Sequence, residues 1–156
     1  MNGRDAAAGP GLDIATISRP DHWIDDVLPR FAAMIDASQR GPVRKHLVLA
    51  VDDPDPSARE AERERVARRL GDRFDRVVAR PLPPAPAGAR LLGFDTLRAG
   101  LVADLDLPEV LYIDPDTDVV EDLSGVLAFE PGADVLWVAN PLPLEPVVAD
   151  LVRHGF

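Results

Sequence analysis

The chain has 156 residues, 46% hydrophobic and 28% charged, with a formal net charge of −10. That length fits one domain able to bury roughly 70% of the surface its unfolded form exposes, and the composition is that of an ordinary soluble globular protein, which excludes disorder throughout or a membrane-embedded chain. The negative balance argues against a nucleic-acid-binding face, which would need basic groups to neutralise phosphates, and the lack of cysteine excludes disulfides, thiolate metal sites and a cysteine nucleophile.

Residues 1–11, MNGRDAAAGPG, read as a disordered lead without the basic-then-apolar pattern of a secretion signal. No apolar run approaches the ~20 residues a transmembrane helix needs, so a cytoplasmic protein is expected. Residues 12–156 are then one α/β domain. LDIATIS, at 12–18, reads as a first strand, closed by a turn at Arg19, Pro20 and Asp21. Proline suits a helix's first turn, so a helix is expected from about Pro29 to Ser38, with a tight turn over 23–28 leading in.

HLVLAV, at 46–51, is a continuous apolar run read as a strand buried on both faces, ended by Asp52, Asp53 and Pro54. Ser57 and Glu60 have the spacing of a capping box, and 59–70 is dense in helix formers, with a thin apolar stripe at Ala58, Ala61, Val66 and Leu70. A third strand is expected within 74–79. PLPPAPAGA, at 81–89, is a loop. Apolar residues at Phe94, Leu97, Leu101, Val102 and Leu105 have helical spacing with one apolar face. VLYI, at 110–113, reads as a buried strand ending at Asp114, and VLWVA, at 135–139, as a fifth strand ending at Asn140, with a helix over 145–153. Strands alternating with helices imply an α/β fold: a mostly parallel sheet with helices on both faces.

In open α/β sheets ligands bind beyond the carboxyl ends of the strands. Those positions carry Ser18, Asp21, Asp52, Asp53, Asp114, Asp116 and Asn140. The D-x-D spacing itself says little: with 20 Asp in 156 residues about 2.5 such pairs arise by chance, and the chain has four. Asp53/Asp55 and Asp104/Asp106 are read as a turn and a solvated helix end. Asp114/Asp116 differ because they leave an apolar strand, with Pro115 stiffening the turn between them. Two such carboxylates can face one divalent cation and leave coordination positions for a diphosphate, which is how a chain this acidic could hold an anionic substrate. Trp23 is read both as core packing and as a stacking surface for a nucleobase. Arg98 has two readings as well: a surface partner of Asp95 or Asp104, and a donor-binding group.

The segment LYIDPDTDVVEDLSGVL, 111–127, resembles the D-x-D region of glycosyltransferase family 8, matching it at Tyr112, Asp114, Asp116, Thr117 and Asp122-Leu123. The resemblance implies a Rossmann-like GT-A nucleotide-sugar-binding domain. It also implies Mn²⁺ or Mg²⁺ held by Asp114 and Asp116, a nucleoside-diphosphate sugar, UDP-sugar above all, as donor, and transfer with retention to an unknown acceptor. Ser18, Asp21, Trp23, Arg98 and Asp114 are its implied donor-binding residues, Arg98 standing 16 residues before Asp114 where the family often carries a basic residue. Pro115 departs from the family's usual small residue. The family's second half, with its late histidine ligand and acceptor pocket, is not matched; His154, only 38 residues after Asp116, comes too early for that ligand. The expectation is a domain incomplete at its carboxyl end, completed by a partner chain or by self-association, with no catalytic residue assignable.

Two other motif readings fail. An EF-hand starting at Asp114 would need Gly where Val119 stands and Glu where Gly125 stands. A haloacid-dehalogenase-type phosphatase places its D-x-D strand at the opening of the domain rather than 114 residues in. A non-catalytic binding or interaction domain remains the alternative from a different class.

Overall fold

A computed structural model describes residues 11–82, 102 and 104–126. The described residues form an α/β fold around a four-stranded, all-parallel sheet: β1 (Leu12–Ser18), β2 (Val43–Val51), β3 (Arg76–Pro81) and β4 (Leu111–Tyr112), in the order β3-β2-β1-β4. Helix α1 (Val27–Ser38) joins β1 to β2, and α2 (Pro56–Leu70) joins β2 to β3.

Strand β1 is inner, paired with β2 and β4, and every residue from Leu12 to Ser18 is buried. Alternate side chains serve opposite faces. Leu12 and Ile14, with Leu47, Leu49 and Val51 of β2, pack under Leu28, Phe31 and Ile35 of α1 and Val66 and Leu70 of α2. Ala15, Ile17, Val48 and Ala50 point the other way, onto Val102 and Leu105. Residues of α1 and α2 share one face and Val102 and Leu105 lie on the other, as the right-handed rule for crossovers stepping first one way and then back requires. Of the residues expected in the helix from Phe94, Val102 is helical and Leu105 lies in a turn. The rest of that helix, most of the loop at 81–89, the strand at 135–139 and the helix at 145–153 lie outside the described residues.

Several boundaries differ from expectation for identifiable reasons. Helix α1 starts at Val27, two residues before Pro29, because the Asp26 carboxylate accepts the Val27 N–H at 2.7 Å. Pro29 still sits in the first turn, where no N–H is missed. The cap of α2 is Asp55, not Ser57: its carboxylate accepts the Ser57 N–H at 2.9 Å and Pro56 takes the first helical position. Glu60 therefore turns to Arg63, with contacts of 2.6–2.9 Å. Of the expected stripe on α2, Val66 and Leu70 are buried, whereas Ala58 is half-buried and Ala61 exposed. Strand β3 begins at Arg76 and ends on Pro81, tolerated because, among the described residues, this strand pairs on one side only. Strand β4 is shorter than 110–113 and half-buried rather than buried, being the outermost strand on its side among the described residues.

Strand β2 reaches back to Val43 because its two charged residues find partners. Lys45, buried on the helical face, pairs with Asp36 of α1. Arg44 donates from Nε to the buried Asp13 at 2.8 Å, and His46 Nε2 lies 2.6 Å from the same carboxylate. Burial alone would raise the Asp13 pKa; hydrogen bonds from Arg44 and His46, reinforced by their charge, outweigh it and hold the carboxyl below its usual range.

A depressed folded-state pKa contributes stability that is complete above the ordinary carboxylate range and is lost as pH falls through the folded value. Asp13→Asn should therefore cost about 2 kcal/mol at neutral pH, a value discounted for the exposed Arg44. The deficit should shrink on acidification below pH ~4. Denaturant unfolding of both proteins across pH checks this; a deficit independent of pH would contradict it.

Candidate functional site

The chain leaves β1 for β2 on one side, and after β3 returns to place β4 on the other. Between the carboxyl ends of β1 and β4 the connecting segments diverge and leave a crevice, the position at which doubly wound sheets bind ligands. A cavity of about 370 Å³ occupies it, lined by Ser18, Arg19, His22 and Trp23 from the β1 side and Asp114 and Pro115 from the β4 side.

Each wall has a local cause. The buried Ser18 hydroxyl lies 2.9 Å from the His22 carbonyl and 3.1 Å from that of Arg19, and so folds the segment after β1 back on itself. Trp23 follows at φ 61°, and its carbonyl accepts the Leu28 N–H at 2.9 Å, locking the turn to the start of α1. The Trp23 ring stands 4.4 Å from that of His22, tilted by 39°. Half-buried, it also packs against the main core, as its core reading expects.

On the other wall the Ile113 N–H donates to the Ala15 carbonyl at 3.0 Å, carrying the β1–β4 alignment one residue past the strand. Tyr112 donates its hydroxyl to Asp114 Oδ1 at 2.6 Å. The Thr117 N–H closes a turn onto the Asp114 carbonyl at 3.0 Å, with Pro115 buried beneath it. Proline at the second position is the favoured chemistry for such a turn.

Of the residues singled out in the sequence, Ser18, Trp23 and Asp114 come together around this cavity. Asp116 is exposed in the turn and lines neither this cavity nor the wider groove. That groove, about 750 Å³, lies between the Trp23 turn and α2 and takes in Asp21 with Asp25, Arg65, Arg68 and Arg69. It is a surface of internal ion pairs, Arg69 with Asp25 at 2.6 Å and Arg65 with Glu62 at 2.7 Å, and Trp23 lines both it and the β1/β4 cavity. Asp53 serves its own turn, accepting the Asp55 N–H at 2.8 Å. Arg98 and Asn140 lie outside the described residues.

Arg19 and His22 were not singled out in the sequence, although they follow β1 as directly as Ser18 and Asp21 do. They put a cation and an imidazole on the β1 wall of the cavity. Among the described residues no group of three or more Asp, Glu or His side chains is arranged to hold a metal. No helix among the described residues is long and apolar enough to cross a membrane. No family model, curated protein or solved structure matches the chain.

The left-handed backbone at Trp23 costs a non-glycine residue about 1–2 kcal/mol, part of which glycine returns through its freer unfolded state. Trp23→Gly should accordingly be more stable than Trp23→Ala by roughly 0.5–1 kcal/mol, the reverse of the usual order. Denaturant midpoints of the two variants decide it; an alanine variant as stable as the glycine one would remove the strain from the account.

Proposed function

We propose that the crevice between β1 and β4 is the donor site of a metal-dependent glycosyltransferase of the GT-A type, binding a nucleoside-diphosphate sugar. The observation that carries the reading is the position of Asp114. The aspartate that opens the D-x-D of the family-8-like segment lines the cavity at the switch point of the sheet, opposite an arginine and a tryptophan.

The roles follow from chemistry. Asp114 and Asp116 supply hard carboxylate oxygens, the donor type that suits Mn²⁺ or Mg²⁺. When bound, the cation neutralises a diphosphate and stabilises the charge it gains as a leaving group. Tyr112, donating to one oxygen of Asp114, fixes that carboxylate's orientation in the way ligating carboxylates are commonly held by an outer partner. Arg19 adds positive charge on the facing wall, and the half-exposed Trp23 offers a face on which a nucleobase stacks. Ser18 shapes the turn that presents both. Asp21 and Arg98 complete the donor set implied by the family resemblance, and UDP is the nucleotide that resemblance favours.

UDP titrated calorimetrically into the chain should bind more tightly with Mn²⁺ than without. Asp114→Ala and Asp116→Asn should each lose more than about tenfold of that metal-dependent affinity, a loss at least as large as that seen when a ligating group loses its outer partner. Wild-type binding indifferent to Mn²⁺, or variants that bind as wild type does, would contradict the assignment.

A further inference from the structure

The turn that carries Asp114 and Asp116 is anchored on both arms, and its second anchor is a pair of side chains remote from it in sequence, one on α1 and one on the residue that caps its C-terminus. The first arm is strand β4, paired to β1. The second arm, residues 117–123, runs along α1 and is fastened at three points. The buried Val119 donates its N–H to Met34 Sδ at 3.0 Å. Gln39 Oε1 accepts the Leu123 N–H at 2.7 Å, and Gln39 Nε2 lies 3.2 Å from the Glu121 carbonyl.

Gln39 thus uses both ends of its amide on one stretch of backbone, as a neighbouring strand would. Its own backbone is fixed, since its N–H closes α1 onto the Ile35 carbonyl at 3.1 Å. Val119 and Leu123 pack on the core cluster that includes Phe31 and Ile35. Apolar contact holds the arm against the helix, but it is the directional bonds that fix where along the helix each backbone group lies.

We infer that Gln39, with Met34 beside it, is a positioning residue for the Asp114–Asp116 turn: by fixing the second arm it sets where the exposed Asp116 carboxylate stands relative to Asp114. The metal-binding consequence rests on the function proposed above; the ordering of the turn does not. A ligand carried on one anchored arm and one free arm would sample many positions, and such loss of outer support commonly weakens metal affinity by about 10–100-fold.

The test uses the full chain with Gln39→Ala and Gln39→Glu. Amide hydrogen exchange is read at Thr117 and Leu123 in unliganded protein, and UDP is titrated with and without Mn²⁺. Gln39→Ala should speed exchange at both amides and weaken UDP binding about tenfold in the presence of Mn²⁺, while the affinity without Mn²⁺ is unchanged. Gln39→Glu keeps an acceptor for Leu123 and should retain protection there. Unchanged exchange at Thr117 in Gln39→Ala, or an equal loss of affinity with and without the metal, overturns the positioning role. Faster exchange at Thr117 in a protein whose wild type binds UDP without regard to Mn²⁺ removes the donor-site reading and leaves the positioning of the turn standing.

Discussion

Strand β1 is paired on both edges and covered on both faces, and the crevice exists because of that placement. Its seven residues align with β2 from Leu12 opposite Val43 to Ser18 opposite Leu49, and its middle aligns with β4 at Ile14 and Ala15. A strand so enclosed must be apolar on both sides, and the chain leaving it must turn sharply at the sheet's carboxyl edge. Ser18, the last buried residue, commits its hydroxyl to that turn. The same alignment brings the end of β4, and with it Asp114, to the opposite lip. The site is therefore a consequence of strand order.

The sheet divides its charges between its two ends. Toward the amino ends of β1 and β2 lies a layer of satisfied ions: Asp13 with Arg44 and His46, and Lys45 with Asp36. Asp13, His46 and Lys45 are buried and each is paired, the condition under which an ion within a fold is tolerated, while their partners Arg44 and Asp36 reach solvent. At the carboxyl end Arg19, His22 and Asp114 line a cavity. Asp13, the second residue of β1, thus stands most of a strand's length from the cavity beyond Ser18. Helix α1 connects the two ends: it begins at the Trp23 turn and finishes at Gln39, which holds the arm trailing from the Asp114 turn.

Local pattern made much of this readable. LDIATIS and the core of HLVLAV are apolar runs too short for helices, and the alternation of strands and helices required a parallel sheet. What pattern did not reveal was long-range pairing. Asp13 looks like a defect in a strand until Arg44 and His46, 31 and 33 residues away, are placed beside it. The α2 cap moved from Ser57 to Asp55 because Pro56 competes for the first helical position, a contest between two valid local signals. The strand-end rule pointed to Ser18 and Asp114, which line the cavity. It gave no role to Arg19 and His22, whose place on the cavity wall depends on how the segment after β1 folds back. It also could not tell that Asp116 faces solvent, which depends on the burial of Pro115 and the Thr117–Asp114 bond.

The central claim is that a divalent cation and a nucleoside diphosphate meet in the crevice between the β1 and β4 ends. Paramagnetic line broadening by Mn²⁺ in the presence of UDP, followed at each backbone amide, tests it most directly because it reports place as well as binding. The account predicts broadening centred on residues 114–117 and reaching 19–23 across the cavity, while the amides at the amino ends of the strands, near Asp13 and Arg44, stay sharp. Broadening centred on another part of the chain, or none that depends on UDP, would contradict it.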